Sequence, residues 1–321
     1  MRSAVAEGGH GVVEAARGSG LLPPGGPVVV LLSGGPDSVC LTDVAARLAG
    51  ARSVTALHID HGLRPGEADT AICVEVCAVI GVELEVRTLD ANSARGNIQG
   101  WARENRYAIA AEMATELGAT IAAGHTASDQ AETVLYRLAA APGRRALLGM
   151  TPRSGKLVRP LLGVERASTV EYCLSRGFIT ADDPSNSSPA FARNRVRAGL
   201  VGALKEIHPA AEANVVATAE ILRDEAAVLD ELVDGLIDGT APNRSIPLAR
   251  LREQPPALRR LTVQRLADEA AGRLAPGVAR RADDIAKLSD QGVAMLDVPG
   301  GVRAVVERGV LRFIPRAPLG S

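Results

Sequence analysis

The apolar run Val28-Val29-Val30-Leu31-Leu32 opens directly into Ser33-Gly34-Gly35-Pro36-Asp37-Ser38, and the helical stretch Val39-Cys40-Leu41-Thr42-Asp43-Val44 follows. Such a run reads as a buried parallel strand. The glycine pair after it lets the backbone curl until successive N–H groups converge on an anion at the N-terminus of the next helix. Pro36 suits the first helical turn because it has no N–H to leave unpaired. A Walker-type loop is excluded: Gly-x-x-x-x-Gly-Lys-Ser/Thr needs a lysine, and the first lysine in the chain is Lys156.

Asp37 is the unexpected member of the turn. A carboxylate beside a phosphate is repulsive unless a divalent cation lies between them, so the turn implies a metal–nucleotide such as Mg-ATP, with Asp37 at the metal. For a lone Ser-Gly-Gly, a helix-capping aspartate is the better reading. Strand, hexapeptide and helix together favour the nucleotide.

The strand-then-helix pattern repeats. Val54 to Ile59 is extended, Glu67 to Ile80 helical, Glu83 to Leu89 extended, Gln99 to Leu117 helical, and Thr120 to Ala123 a short buried strand before a helix opening near Ser128. Strands alternating with helices predict an α/β fold with a doubly wound parallel sheet, whose ligands sit outside the carboxyl ends of the strands. Periodicity changes near residue 200. Helical segments at Ala210 to Leu236, Leu251 to Ala270 and Gly277 to Leu288 precede short extended pieces, Val293 to Val298 and Val302 to Ile314, broken by Pro299-Gly300-Gly301 and Gly309. The expectation is two domains: residues 1–203 binding the nucleotide, and residues 204–321 mainly helical and ending in a hairpin.

Composition bounds what such a chain does. Basic and acidic residues number 36 and 37, which argues against bulk nonspecific binding to nucleic acid or anionic membrane while leaving room for a local basic face. Aromatics are only 2 %, so base-stacking surfaces are sparse. Lysine occurs only at Lys156, Lys205 and Lys287, a bias that coding preference explains without special arginine chemistry. Cys40, Cys73, Cys77 and Cys173 form no Cys-x-x-Cys pair and read as small buried thiols. A soluble, cytoplasmic protein is expected, with neither export signal nor membrane span.

Four further groups carry chemistry. In His58-Ile59-Asp60-His61-Gly62-Leu63-Arg64, alternation puts His58 and Asp60 on one face and His61 at the strand's exit, with Arg64 free to reach a phosphate. Zinc is disfavoured for want of further close ligands, and a loop-stabilising histidine stays open for His58. Asp129 and Glu132 share one face at a helix N-terminus, where two carboxylates hold an ammonium or a metal; taken alone they are ordinary helix-start acids. Arg103 and Arg106 share a helix face beside the lone tryptophan, Trp101, and a solvated face is the default reading. Arg193, Arg195 and Arg197 make a compact cation cluster suited to RNA phosphates, or a surface charge run.

The hexapeptide resembles the Ser-Gly-Gly-x-Asp-Ser signature of the PP-loop (N-type) ATP pyrophosphatases. The ordered series SGGPDS, HIDHGLR, NIQGWARENRY, GHTASDQAET, RPLLGVER and DDPSNSSPAFARNRVR, spanning about residues 28 to 200, is similar to the tRNA(Ile)-lysidine synthetase family of PP-loop enzymes. The resemblance implies ATP-dependent adenylation of the wobble cytosine of a CAU-anticodon tRNA(Ile), followed by displacement of AMP by the side-chain amine of L-lysine. It further implies that Ser33 to Ser38, His58, Asp60, His61 and Arg64 bind ATP, with Asp37 at Mg²⁺. Asp129 and Glu132 would bind lysine and align its amine, Arg103 would join Asp37, Asp129 and Glu132 in catalysis, and Arg106, Arg193, Arg195 and Arg197 would contact tRNA. The sequence departs from the family pattern in having Ser128 before Asp129, and Ala139-Ala140-Ala141 where an Arg-Gly is common, with Arg137, Arg144 and Arg145 nearby. The rival readings are a PP-loop tRNA thiolase, which would need reactive cysteines, and a non-catalytic nucleotide-dependent RNA-binding module. Oligomeric state stays open.

Overall fold

A computed structural model describes residues 11–60, 67–90, 98–140, 143–181, 192–241 and 243–316. Two compact units divide at Ile221/Leu222, further along the chain than the change of periodicity near residue 200. The division falls inside a long helix, α10 (Ala211–Leu236).

The first unit holds a six-stranded sheet. After a helix over residues 11–18 (α1) come β1 (Val28–Leu31), α2 (Pro36–Ala49), β2 (Val54–Asp60), α3 (Glu67–Ile80), β3 (Glu83–Thr88), α4 (Ile98–Glu116), β4 (Thr120–Ala122) and α5 (Ala127–Ala140). A short helix α6 (Arg144–Leu147), β5 (Arg153–Ser154), β6 (Leu157–Val158) and α7 (Arg166–Arg176) follow. The helical run that precedes α10 comprises α8 (Ala192–Arg195), a π-helical turn (Val196–Val201) and α9 (Gly202–Ile207).

Strand order is β3-β2-β1-β4-β6-β5, parallel throughout except β5, which runs antiparallel to β6. From β1 the chain builds outward through β2 and β3, then crosses back to lay β4 on β1's other side. The β1/β4 boundary is therefore the switch point where loops from the two halves part and leave a crevice.

Alternation along the strands feeds two cores. Val28, Val30 and Ala56 pack with Leu41, Val44, Tyr172 and Phe178 on the face covered by α2 and α7. Val29, Leu57 and Ile59 point the other way, onto Ala110 and Ala114 of α4. Few aromatics are needed because alanine and valine let the helices lie close to the sheet.

The face shared by α2 and α7 contains one buried polar knot. Asp43 accepts hydrogen bonds from Tyr172 Oη at 2.5 Å, Arg47 Nε at 2.9 Å and Arg176 Nε at 3.1 Å. A buried carboxylate is tolerable only when satisfied in this way, and here the partners fix how α7 sits on α2.

The second unit is more sheet-rich than its sequence suggests. In place of the expected terminal hairpin stand three antiparallel strands, β8 (Val293–Val298), β9 (Val302–Glu307) and β10 (Val310–Pro315), and a fourth, β7 (Ser245–Pro247), joins them in the order β7-β10-β9-β8. Three residues ending in proline are too short to show alternation. The expected helix over Leu251 to Ala270 is divided into α11 (Leu248–Glu253) and α12 (Pro256–Ala271) at the Pro255-Pro256 pair, which cannot continue a helix. A 3₁₀ turn and α13 (Ala282–Ala286) complete the unit around Ile246, Leu251, Val263, Leu266, Val302, Leu311 and Phe313.

Tyr172→Phe tests the knot between α2 and α7. It should lower the stability of the first unit by about 1–2 kcal/mol, the range for a buried hydrogen bond to a charged group, read as a lower urea midpoint.

Candidate active site

The turn after β1 presents unused main-chain donors. Gly34 adopts φ +85°, a conformation glycine enters at little cost. Among the described residues the N–H groups of Gly34, Gly35 and Asp37 donate no hydrogen bond, whereas those of Ser38 and Val39 are turned back onto Gly35 O at 3.1 and 3.0 Å. Ser38 Oγ accepts from Ser33 N at 3.1 Å and donates to Gly35 O at 2.9 Å, which closes the turn. Free amides at the N-terminus of α2 are what an incoming phosphate requires.

The loop after β4 presses against this turn. A Cβ on Gly124 would lie 2.9 Å from Asp37 O and 3.0 Å from its carbonyl carbon, so only glycine lets the two loops approach. Sequence reading quoted Gly124 without giving it a role; the signal was its place at the end of the short strand beside a switch point.

Asp37 is buried and already neutralised. Its Oδ2 pairs with Arg166 Nη2 at 2.8 Å, and its Oδ1 accepts from Thr169 Oγ1. Burial pushes its pKa up, while Arg166 and the Thr169 hydrogen bond pull it back. Both partners come from α7, the helix that also grips Asp43, and sequence reading assigned neither. A nucleotide-bound magnesium fits here, since it takes one or two carboxylate oxygens together with phosphates and water, and each Asp37 oxygen keeps a second lone pair. Among the described residues no group of three acidic, His or Cys side chains could hold a metal ion unaided.

The acidic pair on α5 is not symmetrical. Asp129 Oδ2 accepts from Thr126 N and Thr126 Oγ1, both at 2.9 Å, so half of this carboxylate caps its own helix. Its Oδ1 lies 3.8 Å from Arg197 Nη2. Glu132 is only 2 % exposed and bonds Arg197 through both oxygens, Nη2 standing at 3.2 Å and Nε closer. Burial raises the Glu132 pKa, with Arg197 opposing. The π-helical turn carries Arg197 onto this pair, so one member of the Arg193, Arg195, Arg197 cluster is held by the carboxylates.

The remaining expected residues fall into separate places. His58 is buried behind the turn, its Nδ1 2.9 Å from Leu32 O and 3.4 Å from Cys73 Sγ, and it anchors the end of β1. Asp60 lines a cleft of about 590 Å³ between α3 and β3 with Thr70, Val74, Val86 and Thr88. Arg103 lies over the Tyr107 ring at 5.0 Å. Burial, joined by Arg103's charge, pulls Arg106 below the usual guanidinium range, and the same causes act on buried Arg159, which sequence reading did not single out. Arg195 is exposed. His61, Arg64 and the Arg193 side chain lie outside the described residues, as does the whole DDPSNSSPAF segment.

All four thiols are buried and held protonated by burial: Cys77 is pushed up to about 11, Cys73 and Cys173 to about 12, and Cys40 higher still. None is a ready thiolate. No described helix is long and apolar enough to cross a membrane.

Comparison with known proteins agrees with this architecture. A PP-loop domain family matches residues 23–204. The tRNA(Ile)-lysidine synthase of Salinispora tropica is 37 % identical, over 91 % of this chain and 92 % of that one. That of Leifsonia xyli is 36 % identical over 97 % and 95 %, and that of Symbiobacterium thermophilum 37 % over 93 % and 67 %. Among solved structures, the U34-tRNA thiolase NcsA of Methanococcus maripaludis, described with its 4Fe–4S cluster, superposes with a TM-score of 0.56 at 18 % identity, covering 67 % of this chain and 78 % of that chain. At that identity the likeness is one of fold.

Gly124→Ala should force the two loops apart. Nucleotide affinity, measured by calorimetry, should fall by roughly tenfold, which is about 1.4 kcal/mol, while the unfolding midpoint moves little.

Proposed function

The chain belongs to the tRNA(Ile)-lysidine synthase family of PP-loop proteins, and from that premise we propose how its residues form lysidine on the wobble cytidine of CAU-anticodon tRNA(Ile). The observation that carries the proposal is the buried Glu132 carboxylate, held beside Asp129 and satisfied by a guanidinium. A site that binds one side-chain cation has the charge for another, the side-chain ammonium of free L-lysine.

The turn from Ser33 to Ser38 receives the ATP phosphates on the free amides of Gly34, Gly35 and Asp37. Magnesium, held by Asp37 and the phosphates, would supply neutralisation of the charge that builds on the leaving pyrophosphate. The wobble base is fixed so that its carbon-2 oxygen attacks the α-phosphorus; a phosphorus–oxygen bond forms, pyrophosphate leaves, and the base carries AMP. The lysine amine, formed when the bound ammonium passes one proton to solvent, then attacks carbon 2, the carbon–oxygen bond to AMP breaks, and the attacking nitrogen loses a second proton. Glu132 is suited to accept it, because burial raises its affinity for protons above that of an exposed glutamate. Most of the acceleration comes from alignment and charge neutralisation rather than from a protein nucleophile.

Arg197 must leave the carboxylates before an ammonium can take its place. Arg197, once displaced, is assigned with Arg106, Arg193 and Arg195 to the tRNA backbone, and Arg103 and Arg106 lie on the half of α4 nearest the carboxyl edge of the sheet. His58 supports the nucleotide turn from behind, and Asp60, His61 and Arg64 are assigned to the nucleotide side. The thiolase reading is disfavoured by four buried, protonated thiols without a Cys-x-x-Cys pair.

Radiolabelled lysine should enter tRNA only when ATP and tRNA(Ile) are both present, with one AMP released per lysine. Asp37→Ala should abolish AMP formation. AMP formation without lysine incorporation, equally fast with a sulfur donor, would give the site to thiolation instead.

Glu132→Gln should raise the lysine KM roughly tenfold or more, the cost of one charge-assisted contact, while the ATP KM changes little. Lysine binding needs Glu132 ionised. Its raised pKa makes lysine saturation fail at a higher pH on acidification than an exposed glutamate would allow, and that acid limb should vanish from the KM profile of the glutamine variant.

A further inference from the structure

We propose that Arg166 is a nucleotide-contacting residue, the cation that meets the polyphosphate in a loop with no lysine of its own; this rests on the ATP-dependent reading of the site given above. The reasoning begins from charge. Asp129 acts electrostatically on both Asp37 and Glu132, and a polyphosphate brings further negative charge to the same place. A Walker loop answers with its conserved-position lysine. This turn has none.

The lysines of the first unit are committed elsewhere. Lys156 donates to Ala114 O at 3.3 Å and Thr115 Oγ1 at 3.1 Å. Those residues end α4, and α4 leads from the carboxyl end of β3 to the amino end of β4, so this lysine sits at the opposite edge of the sheet. Lys205 pairs with Glu212. The cations that act on Asp37 are Arg166 and Arg197; Arg197 is engaged by both oxygens of Glu132 and, once lysine displaces it, is assigned to the tRNA. Among the described residues, Arg166 is the one placed to serve a phosphate at this turn.

Its position suits the task. Arg166 is the first residue of α7, and its main-chain N–H lies 3.4 Å from Ser128 Oγ in the first turn of α5. Asp37 stands in the first turn of α2. The N-termini of three helices therefore meet around this guanidinium, and each contributes a dipole that favours an anion. The present pairing is also incomplete. Nη2 binds Asp37, whereas Nη1 is enclosed with no acceptor among the described residues, a destabilising state for a buried donor. Thr169 holds the other Asp37 oxygen, so the guanidinium can turn to a phosphate while the carboxylate stays aimed.

The test is binding of a non-hydrolysable ATP analogue with Mg²⁺, by calorimetry, to the full chain and to Arg166→Gln and Arg166→Lys, with thermal midpoints recorded for each. Arg176→Gln serves as the control, since it lies on the same helix but bonds Asp43. Both Arg166 variants should bind the analogue roughly tenfold more weakly or worse, lysine included, because an ammonium cannot present the guanidinium's fork. Arg176→Gln should lower the thermal midpoint and bind as the unaltered chain does. If the glutamine variant does not fold, the lysine variant alone decides. A loss of less than about threefold in the folded variants overturns the proposal. An unaltered chain that binds no analogue removes the nucleotide reading itself, a result separate from anything the variants do.

Discussion

Asp37 brings a negative charge to the turn where the proposed reading lays a polyphosphate, and the surrounding structure is arranged to make that tolerable. The answer comes from α7, whose first turn supplies Arg166 and Thr169 to the carboxylate. Two turns further on, Tyr172 and Arg176 of the same helix grip Asp43. One helix thus both neutralises the acid of the nucleotide turn and fixes the helix on which that acid is mounted. The close passage of Gly124 over the Asp37 carbonyl adds a third restraint, made of main chain alone. Such a turn is set before its ligand arrives, and little ordering is left for binding to oppose.

The two acids of α5 show how one local pattern divides into two jobs. Asp129 gives an oxygen to Thr126, as many acids at helix starts do, while Glu132, one turn on and far more buried, has no local partner and takes a distant guanidinium. The difference is of depth and not of residue type. Desolvation makes the inner carboxylate avid for any cation that can reach it, be it a side chain of the protein or a free amine.

Much of the first unit was legible from residue order because each element obeys its own local rule. The apolar run of β1, the glycines of the turn and the helix that follows are consistent signals over adjacent residues, and α3, α4 and α10 begin and end within a residue or two of where periodicity places them. What could not be read depended on distance along the chain. Arg166 lies far from Asp37 in sequence, and the motif RPLLGVER gives no hint that its last residue meets the first loop. Arg197 read as one of three clustered cations, and its pairing with Glu132 was not legible because a π-helical turn, which alters the phase of a helix, leaves no mark in composition. The strand β7 was missed because its pairing partner, β10, comes more than sixty residues later.

The scarcity of lysine, which composition alone made look like a coding habit, has a chemical consequence. An activated base that awaits an amine is open to any amine within reach, including those of the protein that made it. In the first unit the two available ε-amines are both occupied, Lys156 on a helix-end carbonyl and a threonine hydroxyl, Lys205 on Glu212. Guanidinium groups, which stay protonated and do not attack carbon, provide the positive charge everywhere else. Self-labelling is thereby avoided by what the chain omits, and the nucleophile that arrives has to come from solution.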